Sequence, residues 1–571
     1  MERNNVVNTD GSIDWDKIGS FDTQLADIAI NVKKFGAKGD GVTDDTISIQ
    51  TAMDELINGG VLLIPEGTFI VSSINIPFDN ITIMGSGIES TIIKSNGLVN
   101  QTPLYNIKGN VKLMNFTIDG NGKIMPTPTA GDGAFCLSVY NCSNIKIDNV
   151  KFKNSYNKQT AFDGVKDVYI SRCIFESQLD TSHEQDGVHL YGGVNTTQNI
   201  VIDECKFLDH PRSGVYCDID VQDVTIKNCN FNHSLASYIQ GDGVTVQGYG
   251  DNITIDNNIF EHYYRSINLR CGVKGIKIIN NKFKKILTYG IALSGTESIY
   301  DMLGGEVRFN LIKETVNANG VDRILLGKNI VIDNNTMDFA TFGGIVNEPN
   351  SASAISISGF NSATKNSYIS NVAISRLYII GAELNIGRLI ATVLGNNDIL
   401  NKLILDGADI ISGINSMMTS STVNGANYVT IKNNKFRLLQ STSHIYAKNK
   451  LKFIDNEIIQ YRKGLSTAMV TGLFCKYTEC FGNITEESNI TYLASLLPSI
   501  TLPGGQYFFY NNSRIDGTVL NSYFEDNIPL LSVTRNSGGT WFQWLDTTGR
   551  LRIKNGLPIT FTDGTLIGAQ V

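Results

Sequence analysis

Residues able to carry out acid–base chemistry are concentrated in one stretch of this chain. The stretch spans 80 of the 571 residues and holds five of the six histidines, namely His183, His189, His210, His233 and His262. Carboxylates recur among them at Asp186, Asp218 and Asp242, at spacings of 32 and 24 residues. Imidazole and carboxylate groups are the usual proton carriers in enzyme sites. The composition of the stretch therefore predicts a catalytic or binding site.

Five short segments of this stretch align on a leading glycine or serine. They are Gly187-Val-His-Leu-Tyr191, Gly214-Val-Tyr-Cys-Asp218, Gly243-Val-Thr-Val-Gln247, Ser266-Ile-Asn-Leu-Arg270 and Gly290-Ile-Ala-Leu-Ser294. Side chains alternate between the two faces of a β-strand, so the apolar positions are predicted to face inward. The positions between them, such as His189, Tyr216, Thr245 and Asn268, are predicted to form an outward-facing patch.

The patch supplies candidates for catalysis. The candidate catalytic residues are Asp186, Asp218, Asp242, His189 and Glu184. Glycoside hydrolysis uses two carboxyl groups, about 5 to 5.5 Å apart for retention or about 6.5 to 9.5 Å apart for inversion. Asp186 and Asp242 occupy equivalent positions two rungs apart, so stacking predicts about 9.6 Å between their backbones. That spacing favours inversion, and Asp218 is a rival acid or base.

A second set of residues is predicted to hold the substrate, either by stacking on sugar rings or by polar contacts. This set is Tyr191, Tyr216, Tyr264, Gln247, Arg265 and Arg270. The alternative interpretation is structural, because an outward Asp or Arg often belongs to an ion pair between rungs on a solvated face. Such pairs contribute only about 0 to 1 kcal/mol.

A repeat must position these residues. Segments that alternate apolar and polar residues and end in an aromatic recur at Asn144–Phe152, Val168–Phe175, Asn199–Phe207, Val224–Phe231, Ile253–Phe260 and Ile276–Phe283. The terminal aromatics are 23 to 32 residues apart, a spacing typical of solenoid repeats. Alternation with period 2 predicts strands, so the fold class is predicted to be all-β, a parallel β-helix. Asn side chains at the turns are predicted to bond from coil to coil, and Cys173, Cys205 and Cys229 to form an inward ladder.

One helix is predicted at about residues 44–57. Thr43-Asp44-Asp45 offers a start with acidic first-turn residues, and Gly59-Gly60 offers a stop. The apolar stripe of the helix is Ile47, Ile49, Ala52, Met53 and Leu56. Such a helix closes the open end of a β-helix, which would otherwise present an unpaired strand edge. Helix capping explains the acidic residues Asp40, Asp44 and Asp45 better than a calcium loop does.

Charge and composition exclude other classes of function. The net charge is -8 and charged residues make up 18% of the chain, whereas nucleic-acid partners require a dense basic surface. No apolar run approaches the length of a membrane span and no secretory signal is visible, so no membrane partner is expected. The nine cysteines lack the spacing of a disulfide framework or a zinc site. We predict no metal or cofactor, except a divalent cation such as Ca²⁺ if the reaction is that of a lyase or a phosphodiesterase.

The segments Asn31–Thr46 and Gly59–Phe69 resemble the opening segment of the pectin-lyase-like superfamily of right-handed parallel β-helices. The likeness is greatest to the branch of bacteriophage tailspikes and polysaccharide depolymerases. In addition, Glu184-Gln-Asp-Gly-Val-His189 distantly resembles the Asn-Thr-Asp-Gly catalytic segment of polygalacturonase-like hydrolases. Only the Asp-Gly matches, and the Gly-His-Gly segment of that family is absent.

The predicted domains are a particle-attachment arm over residues 1–30, a β-helix over 31–484 and a small β-sandwich-like domain over 485–571 for trimerisation or carbohydrate binding. The resemblance implies a phage tailspike depolymerase that hydrolyses a bacterial surface polysaccharide. It also implies a virion location, a homotrimer and attachment to phage tail or baseplate proteins. The alternatives are a lyase on a uronic-acid polymer, a phosphodiesterase acting on teichoic acid, and a non-catalytic receptor-binding spike.

Overall fold

The computed structural model describes the chain from residue 29 onward, with gaps. The described residues are 29–98, 102–122, 135–177, 186–193, 195–234, 241–286, 288–295, 313–315, 322–338, 353–360, 367–386, 388–393, 398–414, 418–420, 426–438, 443–460, 468–474, 477–485, 492–495, 506–510, 513–514, 530–536, 539–545, 551–555 and 565–566. They fall into two compact units. The first unit holds the described residues up to 216 and those of 223–234, and the second holds 217–222 and those from 241 onward. Most of the predicted arm over residues 1–30 lies outside the described residues.

The first unit consists of short strands, one 3-10 helix at Val32–Phe35 and one α-helix at Thr46–Asp54. Its strands are Ala29–Asn31, Asp40–Asp44, Gly60–Ile64, Gly67–Val71, Ile74–Asn75, Ile81–Gly85, Thr91–Ser95, Leu104–Tyr105, Val111–Asp119, Leu137–Tyr140, Ser143–Lys153, Thr160–Asp163, Lys166–Ser171, Ile174–Glu176, Asp186–Tyr191, Thr197–Asp203, Lys206–Leu208, Ser213–Cys217, Val221–Lys227 and Asn230–Asn232.

Each strand pairs in parallel with the equivalent strand of the next coil, which confirms the predicted right-handed parallel β-helix. Ile145 is in register with Val168, and Val168 with Ile200. The predicted terminal aromatics form a stack inside the coils. Ring centroids are 5.0 Å apart for Phe152 and Phe175, and the stack continues at 4.9 Å and 4.6 Å through Phe207 and Phe231.

The helix is shorter than predicted, and the assignment of Ile47 to its apolar stripe is wrong. Ile49, Ala52 and Met53 are buried, but Ile47 is 81% exposed. At 3.6 residues per turn the three buried side chains lie about 140° to 240° around the axis from Ile47, so Ile47 is on the opposite face. Asp45 stands at the N-cap without capping the helix, because its carboxylate accepts hydrogen bonds from the backbone of Lys38 and Gly39.

The turns confirm the predicted roles of asparagine and cysteine. Asn149 and Asn228 adopt left-handed backbone angles, with φ of 52° and 55°. The three cysteines are buried, and each thiol donates to a carbonyl of the preceding coil, as Cys173 does to Ile147. Burial raises the pKa of Cys173, which is therefore a packing residue.

The second unit has the same architecture when taken by itself. Its strands are Asp242–Val246, Asp251–Asp256, Ile259–Glu261, Arg265–Arg270, Val273–Lys274, Lys277–Ile279, Lys282–Lys284, Tyr289–Gly295, Lys313–Thr315, Asp322–Lys328, Ile330–Asp333, Thr336–Asp338, Ser353–Phe360, Ser367–Ser375, Tyr378–Ile386, Arg388–Val393, Ile399–Asp406, Asp409–Ile414, Met418–Ser420, Ala426–Lys432, Lys435–Leu438, Ser443–Ile454, Glu457–Gln460, Ala468–Phe474, Tyr477–Phe481, Ile484–Thr485, Tyr492–Ser495, Gln506–Tyr510, Ser513–Arg514, Leu530–Asn536, Gly539–Leu545, Leu551–Asn555 and Thr565–Leu566. Buried asparagines bond between coils, as Asn258 does to Asn281 at 3.0 Å.

The parallel ladder passes the predicted domain boundary at residue 485. Gln506–Tyr510 pairs in parallel with Tyr477–Phe481. The strands then turn antiparallel, with Leu530–Asn536 against Gly539–Leu545, and the latter against Leu551–Asn555. The tail therefore begins as further β-helix and ends as a meander, and its trimerisation or sugar-binding role stays a prediction. Within the described part of the chain, no helix is long and apolar enough to cross a membrane.

Candidate functional site

The predicted outward patch is not an exposed surface. His189 and Tyr216 are only 5% and 2% exposed, and Thr245 and Asn268 are fully buried. An outward-facing side chain can still be buried, because alternation assigns a side chain to a face without saying what packs on that face. The guanidinium of Arg212, for example, lies 4.1 Å from the centroid of the Tyr216 ring.

In the first unit the polar residues form a cluster of Asp186, His189, Arg212 and Tyr216, which we call the Asp186 cluster. His189 Nδ1 lies 2.8 Å from Asp186 Oδ2, and Arg212 Nη1 lies 3.6 Å from the same oxygen. The His189 and Tyr216 rings are stacked, with centroids 5.2 Å apart and planes 6° apart. The strand Asp186–Tyr191 and the segment ending in Tyr216 thus hold an imidazole, a carboxylate and a guanidinium in contact.

The electrostatics of the cluster favour an ionised Asp186. Burial alone would raise the pKa of this carboxyl, but Arg212 and the hydrogen bond from His189 outweigh burial and hold the pKa below its ordinary value. Lys158 acts in the same direction. Asp186 Oδ1 is buried and has no hydrogen-bond partner among the described residues. The carboxylate therefore orients His189 through Oδ2, while Oδ1 accepts no hydrogen bond from the described residues.

A second buried histidine lies next to this cluster. His210 Nε2 is 3.2 Å from the carbonyl oxygen of Phe175, which fixes the proton on Nε2. Burial lowers the pKa of His210 to about 4. A Cβ on Gly187 would come within 3.0 Å of His210 Nε2 and 2.6 Å of the Gly214 oxygen, so only glycine fits beside Asp186.

In the second unit the polar residues form another cluster of Asp242, Thr245, Arg265, Asn268 and Arg270, which we call the Asp242 cluster. Asp242 Oδ1 accepts from Arg265 Nε at 2.7 Å. Asp242 Oδ2 accepts from Asn268 Nδ2 at 2.7 Å and from Thr245 Oγ1 at 3.0 Å, and Arg270 Nη2 is 3.9 Å away. Both oxygens of this carboxylate are therefore engaged, which is the arrangement of a structural carboxylate.

Two further candidates, Asp218 and Gln247, form a pair in the second unit. Gln247 Nε2 donates to Asp218 Oδ1 at 2.7 Å. This bond turns the amide so that Oε1 faces away from Asp218, and Oε1 is buried without a partner in the described chain. The pair is a polar element that accepts hydrogen bonds, and it contains no base other than the carboxylate itself.

The remaining candidates have separate outcomes. Tyr191 is half-buried, with its ring centroid 6.5 Å from that of His189. Tyr264 lies 5.4 Å from the Arg265 guanidinium. Glu184 lies outside the described residues. Asp186 and Asp242 belong to different units, so the spacing of about 9.6 Å expected from stacking stays a prediction.

Sequence reasoning missed Arg212 altogether, and it placed Thr245 and Asn268 in the patch without assigning them a role. Arg212 stands in the turn before the strand Ser213–Cys217, where the alternation of faces makes no prediction. The one signal in the sequence that could have identified Arg212 is its position directly before Ser213. Among the residues that the structure describes, no group of three or more His, Cys, Asp or Glu side chains could hold a metal ion.

Comparisons with known proteins match this fold. Residues 29–237 match the family described as rhamnogalacturonase A/epimerase, pectate lyase-like, and residues 194–371 match the right-handed β-helix region. Over these residues the chain is similar to the pectate lyase-like right-handed β-helix proteins. This confirms the resemblance predicted from Asn31–Thr46 and Gly59–Phe69. The Asp186 cluster lies inside the first match, whereas the Asp242 cluster lies outside it and inside the second.

Three relatives show the range of proteins to which the chain is similar. The preneck appendage protein of Bacillus phage PZA is 27% identical over 43% of this chain and 28% of that protein. The plasmin and fibronectin-binding protein A of Streptococcus pneumoniae is 25% identical over 48% of this chain and 38% of that protein. Polygalacturonase-2 of Solanum lycopersicum is 28% identical over 40% of this chain and 52% of that protein. The matched region spans about half or less of each relative.

Proposed function

We propose that this chain is the glycan-binding and glycan-cleaving part of a phage appendage, and that it hydrolyses a polysaccharide of the bacterial surface. The observation that carries the proposal is the Asp186–His189 pair, a buried carboxylate held below its ordinary pKa against an imidazole nitrogen. The pair lies in the segment that matches the rhamnogalacturonase and epimerase family. The similarity to a phage preneck appendage protein supports the phage setting.

In the proposed reaction His189 is the general base. Asp186 accepts from Nδ1, so Nε2 is the nitrogen that takes a proton from the attacking water. The water oxygen bonds to the anomeric carbon, the glycosidic C–O bond breaks, and the leaving oxygen takes a proton from an acid. Glu184, two residues before Asp186 in the sequence, is the candidate for that acid.

A second candidate is hydrolysis of phosphodiester links in a teichoic acid. Arg212 favours it, because a guanidinium next to an imidazole stabilises the negative charge that builds up on phosphoryl oxygens. In this reaction the water attacks phosphorus, His189 takes its proton, and the alkoxide leaves with a proton from the acid. The same residues thus serve either bond.

Product analysis separates these reactions. Purified protein is incubated with bacterial cell-wall and capsule fractions, and the products are sized and their ends identified. New reducing ends support the proposal, and phosphomonoester ends support the second candidate. Unsaturated, ultraviolet-absorbing ends would identify a lyase, and unchanged chain length with retained cell binding would identify a receptor-binding spike, either of which overturns hydrolysis.

Asp186→Asn supplies the matched loss-of-function variant. It should retain binding to the same fractions while cleavage falls by about 100-fold or more, the usual contribution of a positioned acid or base. Arg172→Gln is the control, because Arg172 pairs with Asp148 on an exposed turn. Equal loss in both variants would point to misfolding instead of chemistry.

The proposal includes the assembly. We place the protein in the virion as a homotrimer that attaches to phage tail or baseplate proteins and acts outside the host cell. Light scattering of the full chain should give three times its 62.6 kDa mass. A monomer at micromolar concentration would contradict the trimer without affecting the hydrolysis proposal.

A further inference from the structure

Three side chains act on the buried Asp186 carboxylate. His189 contacts Oδ2 through Nδ1, Arg212 lies 3.6 Å from the same oxygen, and Lys158 adds positive charge. His210 lies nearby, and the charge of Asp186 acts to raise the pKa of its imidazole against the larger effect of burial. Arg212 supplies the largest single charge effect that holds the carboxylate ionised.

Two proton arrangements fit a 2.8 Å contact between a carboxyl and an imidazole. In the first, an ionised Asp186 accepts from Nδ1–H, and Nε2 keeps its lone pair. In the second, the carboxyl takes one proton from solvent and donates it to Nδ1, and the ring carries its own hydrogen on Nε2. The first arrangement makes His189 a base at Nε2 and the second makes it a donor.

We infer that Arg212 is the positioning residue that selects between these arrangements, so that its charge keeps the histidine proton on Nδ1 and leaves Nε2 as the base. Burial is the largest effect on Asp186 and favours the protonated carboxyl. Without the guanidinium, burial prevails and the second arrangement forms. The inference concerns the site of the proposed function, but its test needs no substrate.

Tyr216 has a part in this selection. Its ring lies against the Arg212 guanidinium at 4.1 Å and stacks on His189 at 5.2 Å. A cation held over an aromatic face is restricted in position. Tyr216 therefore ties the guanidinium to the imidazole whose proton it governs.

The test reads the tautomer of His189 directly. The full chain is labelled with ¹⁵N-histidine, long-range ¹H–¹⁵N correlations are recorded between about pH 5 and 8, and His189 is assigned by its loss in His189→Gln. Where the His189 ring is neutral, wild type and the Arg172→Gln control should show a protonated Nδ1 and a bare Nε2. Arg212→Gln should show the reverse pattern, and Arg212→Lys should restore the wild-type pattern because it keeps the charge.

Two results would overturn the inference. One is a protonated Nδ1 in the neutral His189 ring of Arg212→Gln, and the other is an Arg212→Lys spectrum like that of Arg212→Gln. Should Arg212→Gln fail to fold, Tyr216→Leu tests the same point, since loss of the ring frees the guanidinium and should shift part of the population to Nε2–H. An unshifted Tyr216→Leu spectrum then counts against the inference. If wild type cleaves no glycan but Arg212→Gln still reverses the His189 tautomer, only the proposed function is overturned.

Discussion

The Asp186 and Asp242 clusters begin with the same three residues and end in different chemistry. Asp186-Gly-Val-His189 and Asp242-Gly-Val-Thr245 each form a strand in which the aspartate bonds to the residue three positions on. The contact is 2.8 Å to an imidazole in the first cluster and 3.0 Å to a hydroxyl in the second. Of these two residues three positions on, only His189 has a titratable side chain.

The number of donors separates the two carboxylates further. Asp186 leaves Oδ1 without a partner in the described chain, whereas Asp242 accepts on both oxygens. The shared glycine has a packing cause, because a Cβ at Gly187 or at Gly243 would lie 2.6 Å from a backbone oxygen. Asp-Gly is therefore a local requirement of these strands, and the residue at the fourth position decides whether proton chemistry is possible.

The largest expected effect is on turnover. Asp186→Asn should reduce cleavage by about 100-fold or more because His189 loses the charge that orients it, and Asp242→Asn should reduce it less than tenfold. Product release under initial-rate conditions measures both variants at a temperature where both are folded. Equal turnover in the two variants would show that the clusters do not differ in chemistry.

Stability should show the opposite ranking. Asparagine has one acceptor oxygen and one donor nitrogen, which suits position 186, where Oδ1 has no partner to lose. At position 242 the new nitrogen meets the donors Thr245 and Asn268 or Arg265, so Asp242→Asn should cost about 1 to 3 kcal/mol of unfolding free energy. Thermal unfolding at neutral pH checks this ranking, and a larger loss in Asp186→Asn would reverse the assignment of structural and chemical roles.

Local periodicity suffices to predict the coils and their inward residues. Val188 and Leu190 are buried, and Phe152 stacks on Phe175, because alternation with period 2 depends only on neighbouring residues. The outer face is different. Its packing joins side chains far apart in sequence, such as Arg212 and Asp186, and no local pattern specifies that contact.

The sequence predicted which residues belong to the site but not which hydrogen bonds join them. Grouping Asp186 with His189 followed from their positions on one strand. The choice of Asp242 followed from its equivalent position, directly before the leading glycine of another strand. Two of the donors that engage Asp242, Arg265 and Asn268, come from the next coil, where Asn268 is in register with Thr245. Alignment alone could place those residues side by side, but it could not show that they use up both oxygens of the carboxylate.

The pH dependence of stability offers a third way to examine Asp186. Its folded pKa lies below the ordinary 3.8, so the ionised form stabilises the folded chain above that value, and the contribution is lost as the pH falls through the folded pKa. The difference in melting temperature between wild type and Asp186→Asn should thus be largest near neutral pH and shrink below about pH 4. Calorimetry of both proteins over this range measures it, and a difference that grows on acidification would contradict the lowered pKa.

The smallest effect should come from Thr245→Val, which removes one donor from Asp242 Oδ2 while nearly preserving shape. Asn268 Nδ2 still donates to that oxygen at 2.7 Å, so the carboxylate stays engaged. The loss should be about 0.5 to 1.5 kcal/mol, the usual net value of one hydrogen bond, with turnover unchanged. The equivalent change at the matched position, His189→Gln, removes the imidazole that is the proposed base and should reduce cleavage as strongly as Asp186→Asn. If Thr245→Val impaired cleavage as much as His189→Gln does, the Asp242 cluster would take part in the chemistry and the distinction between the two carboxylates would be lost.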